Sequence, residues 1–200
     1  MGKKSARALW SAKLSGQAVA KPSSEEALES ALASRQTPYV GTILGIDPSL
    51  RGTGLAVVRF QNNAVPKLLG SRTLKMPAKH SQAECLGAIA EAVQAILESE
   101  SVNSVALEQT IYVQNFQTAQ IMGMARGAAI AMASVAGLPI HEYAPLRIKQ
   151  AVVGYGRASK DQVAAMVQQH LHLVGPLASD ESDAAAVAIC HAFTGSRNVG

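Results

Sequence analysis

From Thr42 onward the apolar residues come first in three short runs broken by turn residues, TILGID, TGLAVVRF and VPKLLGSRTLK, and only afterwards lengthen to helical spacing. Three consecutive strand patterns joined so closely read as an antiparallel meander. A helix is predicted from about Ser81 to Glu98, where Leu86, Ile89, Ala90, Val93, Ile96 and Leu97 recur at helical spacing. A buried strand NSVALEQ, a long apolar helix over about Thr118 to Val135 and a strand LPIHEYA follow. The chain closes with a short helix PLRIKQAVV, a glycine-broken loop GYGRAS, a helix from Lys160 to about His170 and a helix from about Ser179 to Phe193. Three strands followed by alternating helix and strand define an α/β fold: a mixed five-stranded sheet flanked by helices, with the first and fourth strands as parallel neighbours.

Two hundred residues, 48% of them hydrophobic, suffice for one sizeable core. Residues 1–40 are rich in Ala, Ser and Lys and hold few large apolar residues besides Leu9, Trp10 and Leu14, so they read as a flexible extension to a domain over 41–200. Within the extension SSEEALESALA is patterned for a short helix, with Ser23 as N-cap and Glu26 completing a capping box. Residues 1–21 carry five basic residues and no acidic one, a composition shared by disordered tails, DNA-contacting tails and organellar presequences. The cytoplasm is the expected location, and an organelle is the alternative if this segment is a targeting signal. Cys85 and Cys190 both fall in helical segments, which gives no support to a disulfide framework and points to a reducing compartment. No apolar run is long enough to span a bilayer, so no membrane partner is expected. The net charge of +4 is uneven: residues 1–40 carry six Lys and Arg against three Glu, leaving twelve against eleven for the rest. Such a weakly basic body does not attract nucleic acid by total charge, so the placement of individual cations matters more.

Two strands end in a carboxylate, Asp47 in LGID and Glu108 in ALEQ, and strand carboxyl ends are where sites form in such sheets. Alternation puts Asp47 on one face with Gly45 and Ile43, and Glu108 on a face with Ala106 and Ser104; the small residues Gly45 and Ala106 are expected to leave room between the two acids. In ASDESDAAAVAICHAF, Asp180 and Asp183 stand three residues apart on one side of a helix, while Glu181 is turned away. Ala184, Val187 and Cys190 behind the pair are expected to press that helix onto the sheet. Each acid alone has a structural explanation: Asp180 suits a helix N-terminus, and Glu108 has Arg126 as a candidate ion-pair partner. Together they form a set of hard oxygen donors that suits Mg²⁺, or Mn²⁺ in its place, at two ions per site, able to activate water and to stabilise a leaving oxygen at a phosphodiester.

The segments GIDPSLRGTG, LEQ followed by NFQTA, ARGAA, EYAPLRIKQAVVGYGRASKDQVAAMV and SDESDAAAVAICHA, in this order over about residues 42–193, resemble the RuvC-type Holliday-junction resolvases. The resemblance implies an RNase H-like fold, a homodimer, and Mg²⁺-dependent paired nicking of four-way junction DNA in recombination and repair, with branch-migration proteins as further partners. By motif it assigns the catalytic and metal-binding acids to Asp47, Glu108, Asp180 and Asp183, and cations near the DNA backbone to Lys149 and Lys160, with Arg51, Arg126, Arg147 and Arg157 as looser candidates. The loop GYGRASK supports this independently, since it places backbone N–H groups and cations before a helix N-terminus; an ordinary start capped by Ser159 is the plainer reading of the same residues.

One position departs from the family pattern: where an aromatic residue that stacks on a junction base is common, Ile111 stands, with Tyr112 next. Tyr112 as the stacking ring, Ile111 as an apolar wedge, and neither entering the DNA are the readings left open. Two rivals to the resolvase therefore remain, a non-catalytic junction-binding protein and a nuclease of relaxed structure preference; the complete set of acids argues against the first, because unneutralised carboxylates weaken DNA binding. Other signals are weaker. GTGLAV lacks the third glycine of a dinucleotide site, and an actin-like ATPase needs a second domain that this length does not hold. His141, His170, His172 and His191 show no metal-ligand spacing and read as surface or packing residues, as does the helix MGMARGAAIAMA, with part of it at a dimer contact.

Overall fold

The computed structural model describes residues 38–109 and 115–194. The expected helix after Ser23, almost all of the N-terminal extension, and both Ile111 and Tyr112 lie outside the described residues.

Strands β1 (Gly41–Asp47), β2 (Gly52–Phe60) and β3 (Lys67–Lys75) form the antiparallel meander. Helix α1 (Gln82–Ser99) then crosses over to β4 (Ser104–Glu108), which lies parallel to β1, and α2 (Phe116–Val135) crosses to β5 (Ile140–Tyr143), parallel to β4. The sheet order is β3-β2-β1-β4-β5, with all five strands and the parallel β1–β4 pair as expected. Helices α3 (Pro145–Val153), α4 (Lys160–His170) and α5 (Ser179–Thr194) complete the chain.

Local chemistry sets the helix starts. Ser81 and Glu84 close a capping box on α1, Ser159 and Gln162 close one on α4, and Pro145 begins α3, which Gly154 ends in a left-handed conformation at φ 95°. Helix α2 starts two residues earlier than expected, because the Asn115 side chain accepts from the amides of Gln117 and Thr118.

The period-two alternation of β1 sends Leu44 and Ile46 to one face, where they pack with Leu55, Val57, Val105 and Leu107 under α1 and α2. Ile43, with Ala56, Val58 and Ala106, faces α3, α4 and α5. Helix α5 is buried on nearly every side, between the sheet and the α3–α4 pair, and not along a single apolar face as its pattern implied. Its alanines at 184, 185, 186, 188 and 192 fit that crowding.

The room expected above Gly45 is taken by this helix. A Cβ on Gly45 would lie 2.0 Å from the Ala184 carbonyl oxygen, and one on Gly54 would lie 1.9 Å from that of Asp180. The missing side chains therefore admit a helix backbone rather than a ligand, and they lower the first turns of α5 onto the end of β1.

Candidate active site

Asp47 is the last residue of β1 and Glu108 the last of β4. The parallel register pairs Gly45 with Ala106 and Ile46 with Leu107, so the next step brings the two carboxylates side by side. Asp183, one turn into α5, descends from above. These three acids line one cavity of about 360 Å³ together with Lys149 from α3 and Lys160 from α4.

Asp180 is placed differently from its partner in the predicted pair. It lies over the turn between β1 and β2, where its Oδ2 is 3.4 Å from the point a Cβ on Gly52 would occupy, and it is not among the cavity's lining residues. Its charge still acts on Asp47. Glu181 turns away as expected and accepts a hydrogen bond of 2.7 Å from Ser71 Oγ on β3.

Burial foremost, then the charges of Asp183, Glu108 and Asp180, push the Asp47 carboxyl from its ordinary 3.8 up to about 7, against a smaller opposing pull from Lys160. Glu108 is raised by burial and by Asp183, with Lys160 and Lys149 opposing. Lys160 Nζ lies 3.2 Å from Asp183 Oδ2, and that hydrogen bond holds its ammonium above the usual lysine range. Two ammoniums beside three carboxylates leave the cavity short of positive charge.

The donors that would answer this are all carboxylate oxygens, which suit a hard divalent cation. Among the described residues no group of three closes into a ready-made metal cage. Magnesium commonly takes one or two carboxylates and completes its shell with waters and substrate phosphates, so a set of acids spread around a cavity fits it.

The remaining predicted cations divide by what they touch. Arg51 donates from Nη1 to the Pro77 carbonyl at 2.6 Å and from Nη2 to that of His80 at 3.0 Å, fastening the β1–β2 turn to the segment before α1. Arg126 is bonded through Nη2 to Glu142 on β5, not to Glu108. Arg147 acts on Tyr143 and Cys190 and does not line the cavity, while Arg157 is exposed in the loop before α4. Met122 of α2, read from the sequence as packing, lines the cavity. Its helical spacing gave no sign of this, because the α2 face is set by the crossover geometry.

His191 is a packing residue, stacked on His141 at 4.1 Å and joined through Nδ1 to the Tyr143 hydroxyl at 2.6 Å. Burial, aided by His141, lowers it to about 4.

Residues 43–191 match the family model described as Crossover junction endodeoxyribonuclease RuvC. Among curated proteins the chain is similar to the crossover junction endodeoxyribonuclease RuvC of Halorhodospira halophila, at 44% identity over 75% of this chain and 89% of the relative. It is similar also to that of Chloroflexus aurantiacus, at 41% identity over 76% and 92%. Among solved structures it is similar to T. thermophilus RuvC in complex with Holliday junction substrate, at 33% identity and a TM-score of 0.74, covering 78% of this chain and 96% of the other.

Proposed function

Since the chain belongs to the crossover junction endodeoxyribonuclease RuvC family, we propose that its acidic cavity is where it hydrolyses phosphodiesters of four-way DNA junctions, with Mg²⁺ as cofactor. The observation that carries this is the convergence of Asp47, Glu108 and Asp183 from β1, β4 and α5 in one cavity that also holds Lys149 and Lys160. Two Mg²⁺ ions, or Mn²⁺ in their place, would be held by these acids with Asp180 and would supply Lewis-acid activation of water and stabilisation of the leaving oxygen.

The chain's own groups then have definite tasks. Asp47 and Glu108, fixed on paired strands, present their oxygens without the side-chain or backbone adjustment that a loop would need. Lys160, whose side chain is 78% exposed, reaches from its pairing with Asp183 toward a phosphate entering from solvent. Lys149 lies on the same wall and adds a second cation for the nucleic-acid backbone. The close seat of α5 on Gly45 and Gly54 keeps Asp183 over the strand ends.

Cutting two strands symmetrically takes two cavities, and one chain holds one. We read the enzyme as a homodimer for that reason. Helix α2 buries only Ala125, Ala129 and Ala133 in the core, while a Cβ at Gly123 or Gly127 would meet nothing within 4 Å, which leaves a side of the helix open to a second copy. Two buried free thiols, Cys85 and Cys190, suit a reducing compartment such as the cytoplasm.

The test is cleavage of a synthetic immobile four-way junction beside a linear duplex and a fork, with Mg²⁺ and with EDTA, for wild type and Asp47→Asn. Symmetric nicks in the junction alone, lost with EDTA and in the variant, are the expected result. Tight binding without cutting in either Mg²⁺ or Mn²⁺ would overturn the catalytic reading, and cutting of all three substrates would replace junction selectivity with a relaxed nuclease.

A further inference from the structure

Between Asp47 and Glu84 lie 36 residues that include no acid and six Lys or Arg, half of those found from residue 41 onward. The fold gathers this run into the β2–β3 hairpin and the turn that leads to α1. Two of the six serve the scaffold: Arg51 fastens the β1–β2 turn, and Arg72 donates to the Ala92 carbonyl at 3.0 Å. The other four, Arg59, Lys67, Lys75 and Lys79, are exposed, and the ion pairs among the described residues involve none of them.

These four are ordered relative to the cavity. Lys75 pairs across the hairpin with Gly52, the residue over which Asp180 lies, so it stands near Asp180 and outside the cavity lined by Lys149 and Lys160. Lys79 follows in the turn whose carbonyls Arg51 holds. Lys67 and Arg59 pair with each other at the far end of the hairpin, past the register shift at Val57/Val58, on the face of Leu55 and Val57. Lys75 is on the opposite face with Gly52 and Gly54, so the two groups flank the β3 edge from its two sides. Lys67 and Lys75 are separated by about 26 Å of strand, the rise of roughly eight base pairs of duplex. β3 is an edge strand, so no further strand covers it. Edge strands often carry lysine to discourage pairing with other chains. That purpose requires neither Arg59, which is on the inner strand β2, nor the exclusion of every acid from the run.

We propose that the open β3 edge of the hairpin, reached by Lys75 from one face of the sheet and by Lys67 and Arg59 from the other, is a second phosphate-binding surface, along which one duplex arm of the junction lies as it leaves the cavity. Lys75 and Lys79 grip the backbone nearest the acids, and Lys67 with Arg59 grip it further out. The proposal rests on the junction-cleaving reading above. Cations that meet only phosphates set position and affinity, not sequence, so this surface leaves the choice of cleaved sequence unchanged.

The test uses the full chain, with Lys75→Gln/Lys79→Gln and Arg59→Gln/Lys67→Gln as separate double variants. Binding is measured by fluorescence anisotropy in Ca²⁺ across a salt series, on junctions with arms of about 8 or about 25 base pairs. The first variant is expected to bind both junctions about tenfold more weakly, with the slope of log affinity against log salt shallower by about 1.8. The second should lose affinity on long arms only. Unchanged affinity and slope in both variants, while wild type cuts the junction normally, overturns the proposal and assigns the hairpin to another partner, such as an acidic protein. Equal losses on both arm lengths in the second variant overturn the path along the strand. A wild type that neither binds nor cuts junctions overturns the junction-cleaving reading itself.

Discussion

At Asp47 burial and three neighbouring carboxylates act in the same direction, which makes the residue costly to the metal-free protein at neutral pH and valuable once a cation arrives. With a folded-state value of about 7 against an ordinary 3.8, the folded chain holds a proton there that the unfolded chain has released. The stabilisation is complete below about pH 4 and is lost as the pH rises to about 7, a change of about 4 kcal/mol. Asp47→Asn, which cannot ionise, should therefore raise the melting temperature of EDTA-treated protein at pH 8 and leave it nearly unchanged at pH 4, while junction cleavage falls more than about a hundredfold. A variant no more stable than wild type at pH 8 would show that the carboxylate is not strained by its neighbours. His191 works with the opposite sign: lowered from 6.5 to about 4, it contributes stability above pH 6.5 that is lost as the pH falls toward 4. Both strand-end acids were legible in the sequence, because a charged residue closing an apolar strand is conspicuous. The separation of Asp180 from the cavity was not, since helical spacing shows that Asp180 and Asp183 share a side but not how the helix is tilted over the strand end.

Helix α5 depends on a floor of small residues, and this is where sequence reading recognised the right positions for the wrong reason. Gly45 and Ala106 look the same in one dimension whether the space above them is left for a ligand or filled by a helix. Gly54 belongs to the same floor, and only the crossing of α5 reveals its part. Because the contacts at Gly45 and Gly54 are to helix carbonyl oxygens, an added methyl cannot be absorbed by rotating a side chain. Gly45→Ala and Gly54→Ala should each destabilise the fold by about 3 kcal/mol in denaturant titration, and should lower cleavage by more than the unfolded fraction explains because Asp183 is lifted from the strand ends. Gly87→Ala on α1, where a Cβ meets nothing within 4 Å, is the contrasting case and should be stabilising by about 0.5–1 kcal/mol. Helix α5 is tied to β5 by the hydrogen bond between the Tyr143 hydroxyl and His191 Nδ1. Tyr143→Phe should cost about 1–2 kcal/mol of stability with little loss of cleavage rate, since that bond lies away from the acidic cavity. The meander, the crossovers and the Ser159 cap were readable because their signals are local, whereas the Arg126–Glu142 pair joins α2 to β5 and leaves no spacing to read.

Across the whole molecule the two faces of the sheet divide the work. Helices α3, α4 and α5 cover the face toward which Asp47 points, and α1 and α2 cover the other, with Met122 of α2 also lining the cavity. The side of α2 on which Gly123 and Gly127 lie admits close approach of another helix, and Phe116, at the start of α2, is 80% exposed. If two copies meet there, sedimentation of the full chain should give twice its mass of 20.8 kDa. Gly127→Glu tests the contact without disturbing the single copy, because the substituted side chain has open space around it. The variant should sediment as a monomer with an unchanged melting profile at low concentration, and its junction products should shift from paired nicks to junctions nicked on one strand. Paired nicking that survives in a monomeric variant would mean that one chain cuts both strands in turn, and a variant that remains dimeric would place the contact elsewhere on the molecule.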